Sequence, residues 1–141
     1  MKDKFKQELR AAGLKVTGPR LEAFCFLQQH DLTTVATVIA AMAGRADRAS
    51  VYRTLALFRR LGVIHDVVAG GRQMIELTDS FASHHHHLSC LECGRQESVA
   101  DPALESELDR ISQSKGFRQL SHQIEISGIC ARCQNKAAGR I

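Results

Sequence analysis

The stretch of sequence that decides the fold is DRASVYRTLALFRRLGVIHDVVAGGRQMIEL, residues 47–77. It predicts a helix from Arg48 to Leu61, because Asp47 is a suitable N-cap and Gly62 is a typical helix stop. An apolar, β-branched run follows, then a Gly-Gly turn and a second alternating run. These runs predict a β-hairpin with strands at Val63–Val68 and Gln73–Leu77.

Three shorter helices are predicted upstream of this stretch, from the spacing of apolar residues and from glycine and proline signals. They cover Lys4 to Ala12, Gly18 through Leu27, and Val35 to Met42. Three helices, a longer helix and a hairpin in this order are typical of a winged helix-turn-helix, which is a DNA-binding architecture.

The predicted helix of residues 48–61 has an apolar and a basic face. At about 100° per residue, Val51, Leu55 and Phe58 fall on one side and can pack inward. The opposite side suits a DNA major groove, because arginine can reach a guanine edge or a phosphate and tyrosine a thymine methyl group. The candidate DNA-binding residues, two of which flank the turn before the second helix, are Lys15, Arg20, Tyr52, Arg53 and Arg60. A solvated basic face on an ordinary helix is the alternative.

The charge distribution supports a polyanionic partner for the first half of the chain. Residues 1–62 carry 11 Lys and Arg against 5 Asp and Glu, a net charge of +6, whereas residues 63–141 carry 8 against 10, a net charge of −2. The sequence has no apolar run of about 18 residues and no basic-then-apolar leader. We therefore expect a cytoplasmic protein without a membrane partner.

Two Cys-x-x-Cys pairs in the second half predict a metal site. Each pair can place two thiolates about 3.5–4 Å apart on one tetrahedral Zn²⁺. Four cysteines fill one closed structural zinc site, with ligands Cys90, Cys93, Cys130 and Cys133. A redox motif or disulfides are the alternatives, but a redox motif needs only one pair and disulfides are typical of secreted proteins. Cys25 lies in an apolar run and is expected to be an ordinary core residue.

A run of four histidines, residues 84–87, ends three residues before the first cysteine pair. Strands are predicted at His85–Ser89, Gln96–Val99 and Leu120–Ile129, with a helix at Pro102–Gly116. Alternate residues of a strand face opposite sides, so the run can offer two imidazoles to each of two metal sites. Imidazole suits Zn²⁺, Fe²⁺, Ni²⁺ or Cu²⁺.

The chain resembles the ferric uptake regulator superfamily of bacterial metal-sensing repressors over nearly its whole length. The residues that carry the resemblance are Leu14 to Arg20, Ser50 to Leu55, His84 to Cys90, Cys93-Gly94, Gly116-Phe117, His122 and Gly128 to Cys130. The resemblance implies an α+β fold, with a winged helix-turn-helix DNA-binding domain and a small C-terminal α/β dimerisation domain with structural zinc. The expected boundaries are 1–78 for the first domain, 79–83 for a hinge and 84–141 for the second.

The same resemblance implies a homodimer that binds an AT-rich inverted repeat in double-stranded operator DNA when metal is loaded. It assigns the four cysteines to the structural zinc. It further implies a regulatory metal site at His65, Glu76, His85 and His87, and a third site at His84, His86, Glu105 and His122.

Two departures from the family pattern bear on which metal is sensed. The loop before the third helix, where iron sensors often have a histidine ligand, holds Thr33 and Thr34, with His30 just upstream. Glu97 is shifted by one residue from the position of a further iron-sensor ligand. Fewer carboxylates and more imidazoles favour a tetrahedral ion.

We therefore expect a zinc uptake regulator, with Zn²⁺ as structural and regulatory metal and Fe²⁺ or Mn²⁺ possible at the regulatory site. A repressor of the same superfamily that senses iron, another metal or peroxide is the alternative. A zinc hydrolase is the alternative of a different class, but it needs an open metal position and a glutamate base for which no motif is present.

Overall fold

The computed structural model describes residues 1–138, with side chains through residue 136. The fold is α+β and divides into two compact units, Met1–Ser83 and the residues from His84 onward. Residues 139–141, the end of the predicted second domain, lie outside the described part. Every helix of the described residues is too short or too polar to span a bilayer.

The first unit contains four helices and a β-hairpin. The elements are α1 Lys2–Ala11, α2 Gly18–Gln28, α3 Val35–Ala41, α4 Arg48–Arg60, β1 Ile64–Ala69 and β2 Arg72–Leu77. All six were expected from the sequence, and the expected ends lie within two residues of the observed ones. The hairpin turns at Gly70 and Gly71, which have φ of 58° and 73°. This two-residue left-handed turn requires glycine because a β-carbon would strain both positions.

The core of the first unit is built around four phenylalanines. Phe5 of α1 stacks on Phe24 of α2 with ring centroids 4.2 Å apart, and Phe58 of α4 meets Phe5 edge-on at 5.1 Å. Phe81, inside the predicted hinge, contacts Phe24 edge-on at 5.6 Å and is buried. The predicted hinge thus contains a residue of the first unit's core, and a hinge role for 79–83 stays a prediction.

Helix α4 is oriented by the face predicted to be apolar. Val51, Leu55 and Phe58 are buried, and Leu57 joins them. In the same unit, Thr33 exchanges two backbone hydrogen bonds with Ile75 of β2, at 3.0 and 2.7 Å. These bonds attach the loop before α3 to the hairpin, so the hairpin and the helices form one body.

The second unit contains a three-stranded sheet and two helices. Its elements are β3 His86–Cys90, β4 Gln96–Val99, α5 Pro102–Ser114, β5 Glu125–Gly128 and α6 Ala131–Ala138. The central strand β3 pairs antiparallel with β4 and parallel with β5. The strand predicted at Leu120–Ile129 is therefore shorter than expected, because β3 offers partners only to four residues of it. Helix α6 was not predicted.

The second unit buries few apolar side chains. Of the nineteen buried apolar residues in the described chain, eighteen belong to the first unit and one, Cys90, to the second. Helix α5 has no buried residue. Large exposed apolar side chains are Leu91, Ile111, Phe117, Leu120, Ile126 and Ile129. Hydrophobic burial within this unit is therefore too small to stabilise it alone.

Candidate metal centres and nucleic-acid surface

The four cysteines converge at the ends of β3 and β5. Their sulfur atoms all lie within 4.8 Å of one another, and the Sγ atoms of Cys93 and Cys130 are 3.8 Å apart. A Zn–S bond of about 2.3 Å gives an edge of about 3.8 Å for a regular tetrahedron. The parallel pairing of β3 with β5 brings the two Cys-x-x-Cys segments together, and helix α6 starts between the last two cysteines. The geometry and the thiol donors fit a structural zinc ion.

The protein environment already favours ionisation of part of this cluster. The backbone N–H of Cys130 donates to the Cys90 sulfur at 3.3 Å, and this and other N–H groups lower the Cys90 thiol pKa to about 6. Burial, with the neighbouring cysteines, raises the Cys133 thiol pKa to about 12. The protein alone therefore favours the thiolate of Cys90 and the thiol of Cys133. A bound divalent cation would stabilise all four thiolates at once.

A second cluster joins the start of β3 to helix α5 and to the loop before β5. It consists of His84, His86, Glu105 and His122, whose ligand atoms lie within 4.8 Å of one another. The Nε2 atom of His122 is 3.0 Å from that of His84 and 3.4 Å from that of His86. Zn–N bonds of about 2.0–2.1 Å predict a tetrahedral edge of about 3.3 Å. The spacing and the donor set therefore fit a divalent ion.

Glu105 supplies the negative charge of this second cluster. Its carboxylate oxygens lie 2.7 Å from His86 Nε2 and 3.1 Å from His122 Nε2. Burial raises the Glu105 pKa, but the hydrogen bond from His86 and the three nearby imidazoles outweigh it, so the pKa is lowered overall. The carboxylate is thus ionised and available at neutral pH.

The predicted regulatory ligands are divided between the two units. In the first unit, His65 of β1 and Glu76 of β2 are register partners, with His65 Nε2 2.7 Å from Glu76 Oε1. The hydrogen bond to Glu76 raises the His65 pKa. In the second unit, the rings of His85 and His87 meet edge-on with centroids 4.8 Å apart. Each unit therefore presents a pair of potential ligands.

The positions that depart from the iron-sensor pattern have structural roles. Thr33 makes the backbone bridge to β2, and the Thr34 hydroxyl accepts from the Thr37 N–H at 3.1 Å as the N-cap of α3. The His30 ring stacks on Phe26 at 4.1 Å, and its Nδ1 bonds the Phe26 carbonyl oxygen at 2.7 Å.

An open groove in the first unit carries three of the five predicted DNA-binding residues. It lies between the start of α2 and the exposed face of α4, and it contains Arg20, Arg53 and Arg60. Arg20 donates to the Lys15 carbonyl oxygen at 2.6 Å, which braces the loop before α2. Lys15 and Tyr52 are exposed outside this groove. The groove is lined by Leu14, Thr17, Pro19, Arg20, Ser50, Arg53, Thr54, Ala56, Leu57 and Arg60.

A short chain of hydrogen bonds holds Arg53. Its Nη2 donates to the Ser50 hydroxyl oxygen at 2.9 Å, and that hydroxyl donates to Asp47 Oδ2 at 2.6 Å. The other Asp47 oxygen accepts the Ser50 N–H at 2.9 Å, which caps α4. Arg48 lies over the Tyr52 ring, 5.6 Å from its centroid. The cap that starts the helix also orients its central arginine.

Sequence reasoning did not identify some of the residues that organise these sites. Arg48 was not singled out, and Ser50 was named only as part of the stretch that carries the family resemblance. Their spacings of four residues from Tyr52 and three from Arg53 are nevertheless those of side chains that meet on a helix. Gln119 contacts His122 of the second cluster, and Ser112 of α5 contacts Gln119. These contacts carry no local sequence signal, because a loop conformation brings Gln119 to both residues.

The comparisons with known proteins agree with one another. The model of the ferric uptake regulator family matches residues 11–127. The ferric uptake regulation protein of Legionella pneumophila is 36% identical over 135 residues, which cover 91% of this chain and 97% of that protein.

Solved structures show the same fold. The Vibrio cholerae ferric uptake regulator has a TM-score of 0.71 at 30% identity and covers 89% of this chain and 98% of that one. The Helicobacter pylori ferric uptake regulator has a TM-score of 0.77 at 21% identity and covers 94% and 90%. The chain therefore belongs to the ferric uptake regulator family, and it is a metal-responsive transcriptional regulator and not an enzyme.

Proposed function

We propose that this protein is a repressor that binds an AT-rich inverted repeat in double-stranded operator DNA as a metal-loaded homodimer and controls metal uptake genes. We place its action in the cytoplasm, where bacterial chromosomal DNA is accessible. The observation that carries the proposal is the arginine-lined groove on the exposed face of α4. We place the operator DNA at this groove.

The proposed DNA contacts divide by chemistry. Arg53, held by Ser50, reads a guanine edge or contacts a phosphate, and Tyr52 contacts a thymine methyl group or a phosphate. Arg60 and Arg20 bind phosphates, and Lys15 reaches the backbone or the minor groove. The Vibrio cholerae relative is described as having DNA-binding domains, which supports DNA binding by this chain.

Exposed apolar side chains of the second unit support the homodimer. Ile111, Phe117 and Leu120 have exposed fractions of 45%, 73% and 81%. A unit with so little internal apolar burial gains stability when such side chains are covered by a second copy. An inverted-repeat operator then matches the two-fold symmetry of the dimer.

We further propose that a regulatory metal takes ligands from both units. His65 and Glu76 of the winged-helix unit and His85 and His87 of the second unit bind one ion, which fixes the two recognition helices at one operator spacing. Without that ion the units move freely, and DNA affinity falls by a coupling free energy of about 1–3 kcal/mol. Loss of metal then derepresses the uptake genes.

Zn²⁺ is the regulatory ion we favour. Three imidazoles and one carboxylate are a ligand set for tetrahedral Zn²⁺. Thr33 and Thr34 stand where iron sensors often have a histidine ligand. Thr33 forms the backbone bridge to β2 and Thr34 caps α3, and neither adds an imidazole, so the proposed site has four ligands. Fe²⁺ is the second candidate, because the Legionella pneumophila relative is named a ferric uptake regulation protein.

DNA binding as a function of free metal tests the proposal. Protein that retains its structural zinc is titrated with buffered Zn²⁺ and, anaerobically, with Fe²⁺, and the anisotropy of a labelled AT-rich inverted repeat is measured. His85→Ala and Glu76→Ala are compared with His30→Ala, which removes an exposed histidine outside the ligand set.

We expect Zn²⁺ to switch binding on in the unaltered protein and in His30→Ala, and not in the other two variants. A response to Fe²⁺ alone would refute the zinc assignment and retain the repressor. Metal-independent binding would refute the sensing mechanism.

A further inference from the structure

A hydrogen-bonded chain leads from helix α5 to one ligand of the second metal cluster. The Ser112 hydroxyl of α5 lies 2.9 Å from Gln119 Oε1. The Gln119 amide nitrogen lies 2.8 Å from His122 Nδ1. Gln119 is not a ligand candidate, because its amide contacts the ring nitrogen that faces away from the cluster.

The other ring nitrogen of His122 faces the cluster. His122 Nε2 lies 3.1 Å from Glu105 Oε2 and 3.0 Å from His84 Nε2. A metal bound here takes the lone pair of Nε2, so that nitrogen carries no proton in the loaded site. The single proton of the neutral imidazole must then lie on Nδ1.

A protonated Nδ1 needs an acceptor, and the Gln119 carbonyl oxygen can provide one. In the structure the Gln119 amide nitrogen faces Nδ1, and an amide nitrogen can only donate, so this orientation does not offer an acceptor to a protonated Nδ1. A half-turn of the amide places its oxygen on Nδ1. Ser112 suits both orientations, because its hydroxyl donates to the amide oxygen in one and accepts from the amide nitrogen in the other.

We propose that Gln119 is a positioning residue for the third metal site: its amide turns on metal loading and holds the His122 tautomer that binds metal. The third metal site is the one expected from the family resemblance at the second cluster, His84, His86, Glu105 and His122, and this inference rests on it. Histidine ligands commonly donate their second N–H to such a partner, and loss of the partner typically lowers metal affinity roughly 10- to 100-fold.

The test compares two substitutions that differ in whether they offer an acceptor to Nδ1. Gln119→Glu presents an acceptor in either orientation, whereas Gln119→Leu has nearly the same volume and no polar atom. Gln113→Leu, at an exposed position of α5, is the matched control. The affinity for Co²⁺ is measured in the full chain by chelator competition, with the zinc content of the four-cysteine site as the check that the second unit is folded.

The third site is identified as the bound equivalent of Co²⁺ that is present in the unaltered protein and absent from the His122→Ala variant. We expect Gln119→Leu to weaken that equivalent roughly 10- to 100-fold, Gln119→Glu to bind it at least as tightly as the unaltered protein, and Gln113→Leu to leave it unchanged. Ser112→Ala should give a smaller loss in the same direction.

Two results overturn the inference while leaving the third site in place: unaltered affinity in Gln119→Leu, or a Gln119→Glu variant as weak as Gln119→Leu. If His122→Ala loses no Co²⁺ equivalent, the third site itself is refuted, and the role of Gln119 falls with it. These outcomes separate a wrong positioning residue from a wrong site.

Discussion

Removal of the structural zinc should unfold the second unit and leave the first unit folded. The second unit contributes one of the nineteen buried apolar residues in the described chain, whereas the first unit contributes eighteen. Binding of a structural zinc ion supplies about 10–16 kcal/mol at pH 7. That is similar in size to the whole net stability of an ordinary domain, roughly 5–15 kcal/mol. A second unit without zinc should therefore have no net stability.

Cys130→Ser is the substitution that tests this reasoning. It removes a ligand that lies between β5 and α6, and hydrogen exchange measured by mass spectrometry reports on each strand separately. We expect protection of β3 and β4 to be lost while β1 and β2 stay protected. Cys25→Ser is the matched control, because Cys25 lies in α2 of the first unit and is not one of the four ligands. Persistent protection of β3 in zinc-free Cys130→Ser would refute the argument.

Further predictions concern the core, the cap of the recognition helix and the pH dependence of zinc binding. Phe24→Ala should lower the free energy of unfolding of the first unit by about 3–5 kcal/mol, because it removes a fully buried ring. Urea unfolding measures this change. Asp47→Ala should lower the free energy of unfolding of the first unit by about 1 kcal/mol, because Asp47 caps α4. It should also weaken DNA binding, because Asp47 holds the Ser50 hydroxyl that binds Arg53. Unchanged DNA affinity would show that Arg53 needs no such support. Zinc affinity should fall as the pH falls, because the Cys133 thiol, with its pKa raised to about 12, must release a proton to bind. The loss of zinc affinity per pH unit should become larger below pH 6, where the Cys90 thiol is protonated as well. A zinc affinity that does not depend on pH would contradict this prediction.

The fold of the first unit could be predicted because its boundaries have local causes. Asp47 caps α4 through its own side chain, and Gly62 ends it with a φ of 65°. The apolar spacing of α4 identifies the face that packs inward. Phe81 shows the limit of such reasoning, since one apolar residue in a polar stretch gives no sign that it will join the aromatic core.

The second unit was predictable in outline and less so in detail. Strand β5 is short because its length depends on β3, with which it pairs. The four-cysteine cluster follows from motif spacing, and the histidine clusters from alternation along a strand together with the family resemblance. The part played by Gln119 depends on the path of the loop between α5 and β5, which no periodicity in the sequence specifies.

The most direct test of the central claim is the reciprocity of metal and operator binding. The affinity of the regulatory site for Zn²⁺ is measured with and without operator DNA, and the affinity for DNA with and without Zn²⁺. Thermodynamic linkage requires that operator DNA raise the affinity for Zn²⁺ by the same factor by which Zn²⁺ raises the affinity for operator DNA. We predict a factor of roughly 5 to 150. A Zn²⁺ affinity that operator DNA leaves unchanged would contradict the claim that metal and DNA binding are coupled.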